Sequence, residues 1–280
     1  MLKITKVFNN NAVLAENEIQ TELVVLGKGV AFAKKLGDCV DADLIEKTFS
    51  LNKSPFTPHL IALLEQIPPI YFQLTNQIVN EANKQLGTPL SNSIYVSLTD
   101  HLFHAIERAK NHQQIPNALT YEIQRLYRAE FALGLFAIAK IREYLKVELD
   151  EHEAAFIALH IFNARTDGST MHDTYQATQI IKDILRLVRL QFNYHFDEDS
   201  YDFQRFLTHL QHFAQRFFIS SQHTSSDDDF LYQQTKLAYP KAYQCVEKIN
   251  RYLQQHYQKS LNQDEQLYLT IHIQRVVKSK

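Results

Sequence analysis

The chain has 280 residues, 45% hydrophobic and 21% charged, with a formal net charge of −2. These are globular proportions, and no apolar run approaches the ~20 residues that a membrane-spanning helix needs. A near-neutral balance also excludes indiscriminate attraction to nucleic acid, so any such binding must be local and shape-driven.

The opening residues, MLKITKVFNNNAVLAEN, hold no continuous apolar segment of the kind that directs secretion. Cys39 and Cys245 alone build neither a disulfide framework nor a cysteine-rich zinc site, and they suit a reducing, cytoplasmic setting.

Three of the six glycines, Gly27, Gly29 and Gly37, fall in the first 37 residues. That stretch is predicted as a small antiparallel β-sheet. Its strands are Lys3–Phe8, Ala12–Ala15 and Glu22–Leu26, punctuated by Asn9-Asn10-Asn11 and Gly27. About 55 residues make a marginal core, so this piece is expected to dimerise or lean on something else.

From Pro58 onward the chain is glycine-poor, rich in helix formers and predicted all-α. Ile70, Leu74, Ile78, Ala82 and Leu86 recur every four residues until Gly87 stops the helix. A second helix follows Ser91 or Asn92, with Ile94, Leu98, Leu102, Ala105 and Ala109 as its apolar stripe. Tyr121 to Tyr144 is predicted as one long buried helix, and Asp150 as the cap of a helix from Glu151. Asp167-Gly168-Ser169 and Ser220–Asp229 are predicted as polar loops.

The helical region repeats. Arg142-Glu-Tyr-Leu, then Glu153, Phe156, His160 and Ile161, can be laid on Arg251-Tyr-Leu, Glu265, Tyr268, His272 and Ile273. His101 and His209 match in the same way, earlier in each copy. A near-constant offset of about 110 residues indicates duplication of a whole helical domain. The expected domains are therefore 1–57, 58–170 and 171–280.

Common catalytic signatures are absent: there is no GxGxxG, P-loop, GxSxG or HExxH. The informative residues are His101, His160, His209 and His272, each beside the apolar stripe of a helix. Such a histidine can be a core-edge imidazole, a metal ligand or a phosphoryl acceptor. Metal-ligand spacing is missing among these four; only His101 and His104 stand at i, i+3. Phosphorylation would add a charge of about −2 and force nearby contacts to rearrange. Asp227-Asp228-Asp229 reads as a solvated turn.

At the N-terminus, Asn9–Asn11, Leu26-Gly27-Lys28-Gly29-Val30-Ala31-Phe32 and Lys34-Lys35-Leu36-Gly37-Asp38 form a distinctive set. Glycines allow close backbone approach, Phe32 can stack on a base, and asparagines can read base edges. A tight turn with a core Phe is the competing explanation.

Taken together, NNN…LGKGVAFAKKLGD…IEKTF followed by SLTDHLFHAI, ALHIFNA, FLTHLQHFAQR and LYLTIHIQRV resembles the BglG/LicT/SacY family of transcriptional antiterminators, in order and over the whole chain. The resemblance implies a co-antiterminator RNA-binding domain and two phosphotransferase-system regulation domains, with no enzymatic activity and no cofactor or metal. It implies a homodimer that holds an RNA hairpin overlapping a terminator, so that transcription continues into sugar-utilisation genes. It further implies phosphorylation of the first copy by the sugar permease, which inactivates, and of the second by the phosphocarrier HPr, which activates.

Carried onto this sequence, the acceptors are His101, His160, His209 and His272, with Asp100 orienting His101. The RNA contacts are Asn11, Gly27, Lys28, Gly29 and Phe32, with Lys6 beside them. Lys28 stands where relatives often carry Arg, and a lysine loses planar bidentate reading of guanine. Thr208 precedes His209 where Asp100 precedes His101, so the copies need not behave alike. The rivals are a DNA-binding activator with similar regulation domains and a metal-dependent hydrolase. The first would bring an N-terminal helix-turn-helix, and the second needs ligand spacing that is missing.

Overall fold

The computed structural model describes residues 1–50, 57–165, 170–218 and 229–278. The linker around Ser54-Pro55, the loop at 167–169 and nearly all of the loop at 220–229 lie outside them. Asp229, the last residue of that loop, already opens a helix. The described residues form two compact units, Met1–Gly168 and Ser169–Lys280.

The first unit starts with four strands, β1 (Lys3–Asn9), β2 (Ala12–Glu16), β3 (Glu22–Leu26) and β4 (Lys47–Ser50). They pair antiparallel in chain order. The three predicted strands are present and β4 is an addition. Four residues with alternating polarity, Lys47-Thr-Phe-Ser, carry too little pattern to be read alone.

Alternation gives the sheet two apolar faces. Ile4, Val13, Ala15 and Val25 bury one face under Val30 and Ala31. Ala12, Val24 and Phe49 turn to the other, where they share a core with helical residues including Leu60, Leu64, Phe72 and Tyr95. Phe49 meets Tyr95 edge to face, with ring centroids 5.3 Å apart. The small sheet thus leans on helices of its own chain, which supplies the core it lacks.

Eleven helices follow among the described residues. In the first unit these are α1 (Thr57–Gln66), α2 (Pro69–Leu86), α3 (Ile94–Lys110), α4 (Thr120–Leu126), α5 (Arg128–Leu145) and α6 (Glu151–Arg165). In the second they are α7 (Met171–Phe192), α8 (Tyr201–Phe218), α9 (Asp229–Ala238), α10 (Pro240–Tyr257) and α11 (Gln263–Lys278). None is long and apolar enough to cross a membrane.

The duplication is visible in the packing. In the first unit α2 packs on α3 and α5, and α6 packs on α3, α4 and α5. Shifting each number by five reproduces the same neighbours in the second unit: α7 on α8 and α10, and α11 on α8, α9 and α10.

Two local expectations are corrected. The cap position of α3 is Ser93, not Ser91 or Asn92. The single helix expected over 121–144 is broken at Tyr127, whose backbone leaves the helical region at φ −124 and ψ 53. No Gly or Pro marks this break. Instead Tyr127 is buried, its ring 4.3 Å from that of Phe162 on α6. Tyr239 has nearly the same backbone, φ −129 and ψ 57, at the matching place in the second copy. There Pro240 follows as the first helical residue, where a missing N–H costs nothing.

Candidate functional site

Asp150 caps α6 by accepting from the amides of His152 and Glu153. That sets the phase of the helix, and Glu153 and His160 both turn toward α3. The ring of His160 lies 4.8 Å from that of His101 on α3. Residues 59 apart in sequence are therefore one site.

His101 donates from Nε2 to Glu153 Oε2 at 3.0 Å, and Glu153 Oε1 accepts from Arg108 Nη2 at 3.1 Å. Glu153 is only 1% exposed. Burial works to raise its pKa, but the hydrogen bonds and charges of His101 and Arg108 outweigh it and hold the carboxyl below its ordinary value. His160 sits deeper. Burial, reinforced by the neighbouring His101, pushes its pKa down to about 3, so the ring is neutral. Its buried Nδ1 finds no hydrogen-bond partner among the described residues.

In the second unit, α8 and α11 bring His209 and His272 to 4.0 Å between ring centroids. The surroundings differ in kind. Arg205 Nε donates to His209 Nε2 at 3.4 Å, and the Tyr268 hydroxyl meets His209 Nδ1. Arg205 is a donor only, so Nε2 of His209 carries the lone pair and Nδ1 the hydrogen. At His101 the ionised Glu153 demands the reverse, a hydrogen on Nε2.

Burial lowers the pKa of His209, and Arg205 and His212 lower it further. His272, 8% exposed, is pushed down to about 4 by burial and by the charges of His209, Arg205 and Arg275. Arg216 and Arg205 also act on Tyr268, although burial raises that phenol overall.

The structure thus brings the four histidines together two by two. It does not bring Asp100 to His101. Asp100 is exposed and pairs with His104 at 3.5 Å, one turn along its own helix. The carboxylate on His101 comes from α6, as Glu153. Its partner Arg108 was not singled out in the sequence, although a signal existed: Arg108 follows His101 by seven residues, as Arg216 follows His209.

Lys6 is on β1, Asn11 is in the β1–β2 turn, and Gly27, Lys28, Gly29 and Phe32 lie in the segment that follows β3. Gly27 donates its N–H to the Asn11 carbonyl at 3.0 Å. A Cβ there would stand 1.8 Å from the Leu44 carbonyl oxygen, so only glycine fits. Gly29, at φ +72, donates to Asn11 Oδ1 at 2.7 Å. Asn11 and both glycines therefore build the turn that presents Lys28 and Phe32.

Lys28 is exposed and Phe32 is 71% exposed, which removes the core explanation for this ring. Lys6 reaches across to Glu65 on α1 at 2.5 Å. A shallow groove is lined by Asn11, Gly27 and Lys28 on the sheet and by Leu64, Phe72 and Asn76 on the helices. Glu46 spans it, accepting from the Lys28 amide at 3.3 Å and from Asn76 Nδ2 at 2.7 Å.

Family models match both the sheet region and the two helical copies. The model of the CAT RNA binding domain matches residues 2–55, and that of the PRD domain matches 76–164 and 182–276. Transcription antiterminator LicT of Bacillus subtilis is 45% identical over 277 residues, which cover 99% of each chain. The beta-glucoside operon antiterminator of Dickeya chrysanthemi is 42% identical over 275 residues, 98% of this chain and 96% of that one. Among solved structures, the crystal structure of GlcT CAT-PRDI has a TM-score of 0.54 at 30% identity, over 59% of this chain and 99% of that one.

Proposed function

The chain belongs to the BglG/LicT family of transcription antiterminators, and from that premise we propose that two histidine pairs of opposite electrostatic character control its grip on an RNA hairpin. Three domains carry the activity: 1–57 binds RNA, and 58–170 and 171–280 each hold one histidine pair. The protein works in the cytoplasm as a homodimer and has no enzymatic activity. It prevents a terminator from forming by holding an overlapping hairpin.

Asn11, Gly27 and Gly29 shape the contact surface. Lys28 and Lys6 meet phosphates, and Phe32 stacks on an unpaired base. His101 and His160 receive phosphoryl groups from a sugar permease, and His209 and His272 receive them from HPr. At His209 the lone pair is already on Nε2, whereas at His101 the Nε2 hydrogen must first pass to Nδ1, releasing Glu153; in each case that lone pair bonds phosphorus as the donor's bond to the phosphoryl group breaks.

The observation that carries this reading is the contrast between the pairs. A phosphate at His101 would meet the buried carboxylate of Glu153, whereas one at His209 would meet Arg205, with Arg216 and Arg275 nearby. The first is repelled and loosens its surroundings, and the second gains charge-assisted hydrogen bonds. The test compares gel shifts on a hairpin RNA and on duplex DNA of the same sequence, alongside an antitermination reporter in cells. Retention of the hairpin only, with affinity falling as salt rises, is expected. Preference for the duplex would establish the DNA-binding alternative.

A further inference from the structure

The two copies carry the same glutamate and use it differently. Glu153 and Glu265 hold matching places at the starts of α6 and α11, each three residues after a capping residue, Asp150 or Asn262. In α11 the glutamate completes the cap: Glu265 Oε2 accepts from the Asn262 amide at 3.0 Å, while Asn262 Oδ1 accepts from the Glu265 amide at 2.8 Å. Glu153 instead extends between the helices to His101 and Arg108, both on α3. Its neighbour at the next turn, Phe156, contacts the His101 ring without a polar group. The matching residue in α11 is Tyr268, whose hydroxyl meets His209.

We propose that Glu153 is the positioning residue through which the first copy reads its phosphate: a phosphoryl group on His101 expels the Glu153 carboxylate, takes over Arg108, and so releases the start of α6 from α3. This rests on the reading of His101 as an acceptor. It goes further by naming the latch and the direction of its movement.

Physical arguments support it. Transfer to Nε2 of His101 requires its hydrogen to move to Nδ1, which breaks the bond to Glu153, and a phosphate of about −2 bonded there cannot share the space that the ionised carboxylate fills at 3.0 Å. Glu153 is held by its partners and not by water, so losing His101 leaves a buried anion whose remaining named partner is Arg108. Arg108 can hold a phosphate as well as it holds a carboxylate, and the phosphate carries more charge. The latch is absent from the second copy because Glu265 is committed to its cap and Arg205 already faces His209. One glutamate rotamer therefore separates a site that opens from one that tightens.

The experiment phosphorylates the full-length chain with phosphoramidate, maps the label by mass spectrometry, and follows amide exchange in Glu151–Ala155 with and without label. In the wild-type chain, labelling His101 should speed exchange there about tenfold as α6 opens locally. Glu153→Gln, compared at the same occupancy of label on His101, should show no more than about a twofold change, because no anion is left to expel. A structural role alone would alter exchange in both states and leave the phosphate-dependent difference intact, so an undiminished difference in Glu153→Gln overturns the proposal.

Should Glu153→Gln not fold, Arg108→Gln serves instead. That variant leaves Glu153 tied to α3 through His101 alone, so label on His101 should still speed exchange in Glu151–Ala155, and the absence of any phosphate-dependent change overturns the proposal. Failure of His101 to label in the wild-type chain is a separate result, and it removes the acceptor reading itself.

Discussion

His209 and His272 lie 4.0 Å apart between ring centroids, yet only His209 has both ring nitrogens engaged by polar side chains, those of Arg205 and Tyr268. His101 stands in the same relation to His160: one ring has a polar partner, the buried Glu153, and the other is more deeply enclosed, its Nδ1 without a partner among the described residues. Each pair therefore has an entrance and an interior. His101 and His209 should take up phosphoryl groups first, with His160 and His272 lagging about tenfold or more, the population cost of local opening. Time-resolved mass mapping checks this. Label on His160 before His101 would refute the order.

Charge mimics should separate the pairs. His101→Asp places a second anion against Glu153 and should shift the dimer equilibrium toward monomer and lower antitermination. His209→Asp gains Arg205 and should favour the dimer and raise activity. Adding Arg205→Ala to His209→Asp should remove most of that gain. Sedimentation and a reporter assay measure all three. A common direction for the two mimics would end the two-sign switch.

Acid should weaken the fold through the inner histidines. Burial holds His160 at about 3 and His272 at about 4, while an unfolded chain titrates near 6.5. Between those values the unfolded state binds more protons, so stability is full above about pH 6.5 and falls as pH drops toward 3–4. The slope is at most ~1.4 kcal/mol per pH unit for each histidine. Urea titrations at pH 7 and pH 5 should show a loss of at most about 4 kcal/mol, about 2 from each inner histidine, and about half as much in His160→Gln. Equal losses in the two proteins would show that His160 is already hydrated.

Phe32→Ala should cost about 1–3 kcal/mol of hairpin affinity if its ring stacks on a base. A ring that is 71% exposed supports no core, so thermal stability should not change. Unchanged affinity would leave Phe32 without a role at the RNA.

Lys6 divides its charge between Glu65 and any phosphate it meets. Both side chains are about half exposed, at 51% and 46%, so Glu65→Gln should change stability by less than ~1 kcal/mol. Freeing the lysine should strengthen hairpin binding about threefold at low salt, the size of a modest ion pair, and Lys6→Gln should cancel the gain. Binding isotherms for the single and double variants decide it.

The family, the sheet-then-helices order and the duplication were legible in the chain because each rests on local or repeated pattern. Strand lengths end at Asn9–Asn11 and Gly27, α2 ends at Gly87, and Glu153, Phe156, His160 and Ile161 recur 112 residues later as Glu265, Tyr268, His272 and Ile273. The break at Tyr127 was legible only by transfer from Tyr239-Pro240, because its own cause is the packing of a ring against α6.

Tertiary structure alone decided what stands around each histidine. Sequence adjacency offered Asp100 to His101, but adjacent residues on a helix point about 100° apart, and Asp100 pairs one turn away with His104. Glu153 arrives from another helix, so its contact depends on how α3 and α6 cross. The same holds for Lys6 and Glu65, and for the sheet face of Ala12, Val24 and Phe49: alternation showed that this face is apolar, and only the folded chain showed α1 to α3 covering it. Local pattern records which faces are apolar and where elements stop, whereas pairings between elements depend on packing angles that no single segment encodes.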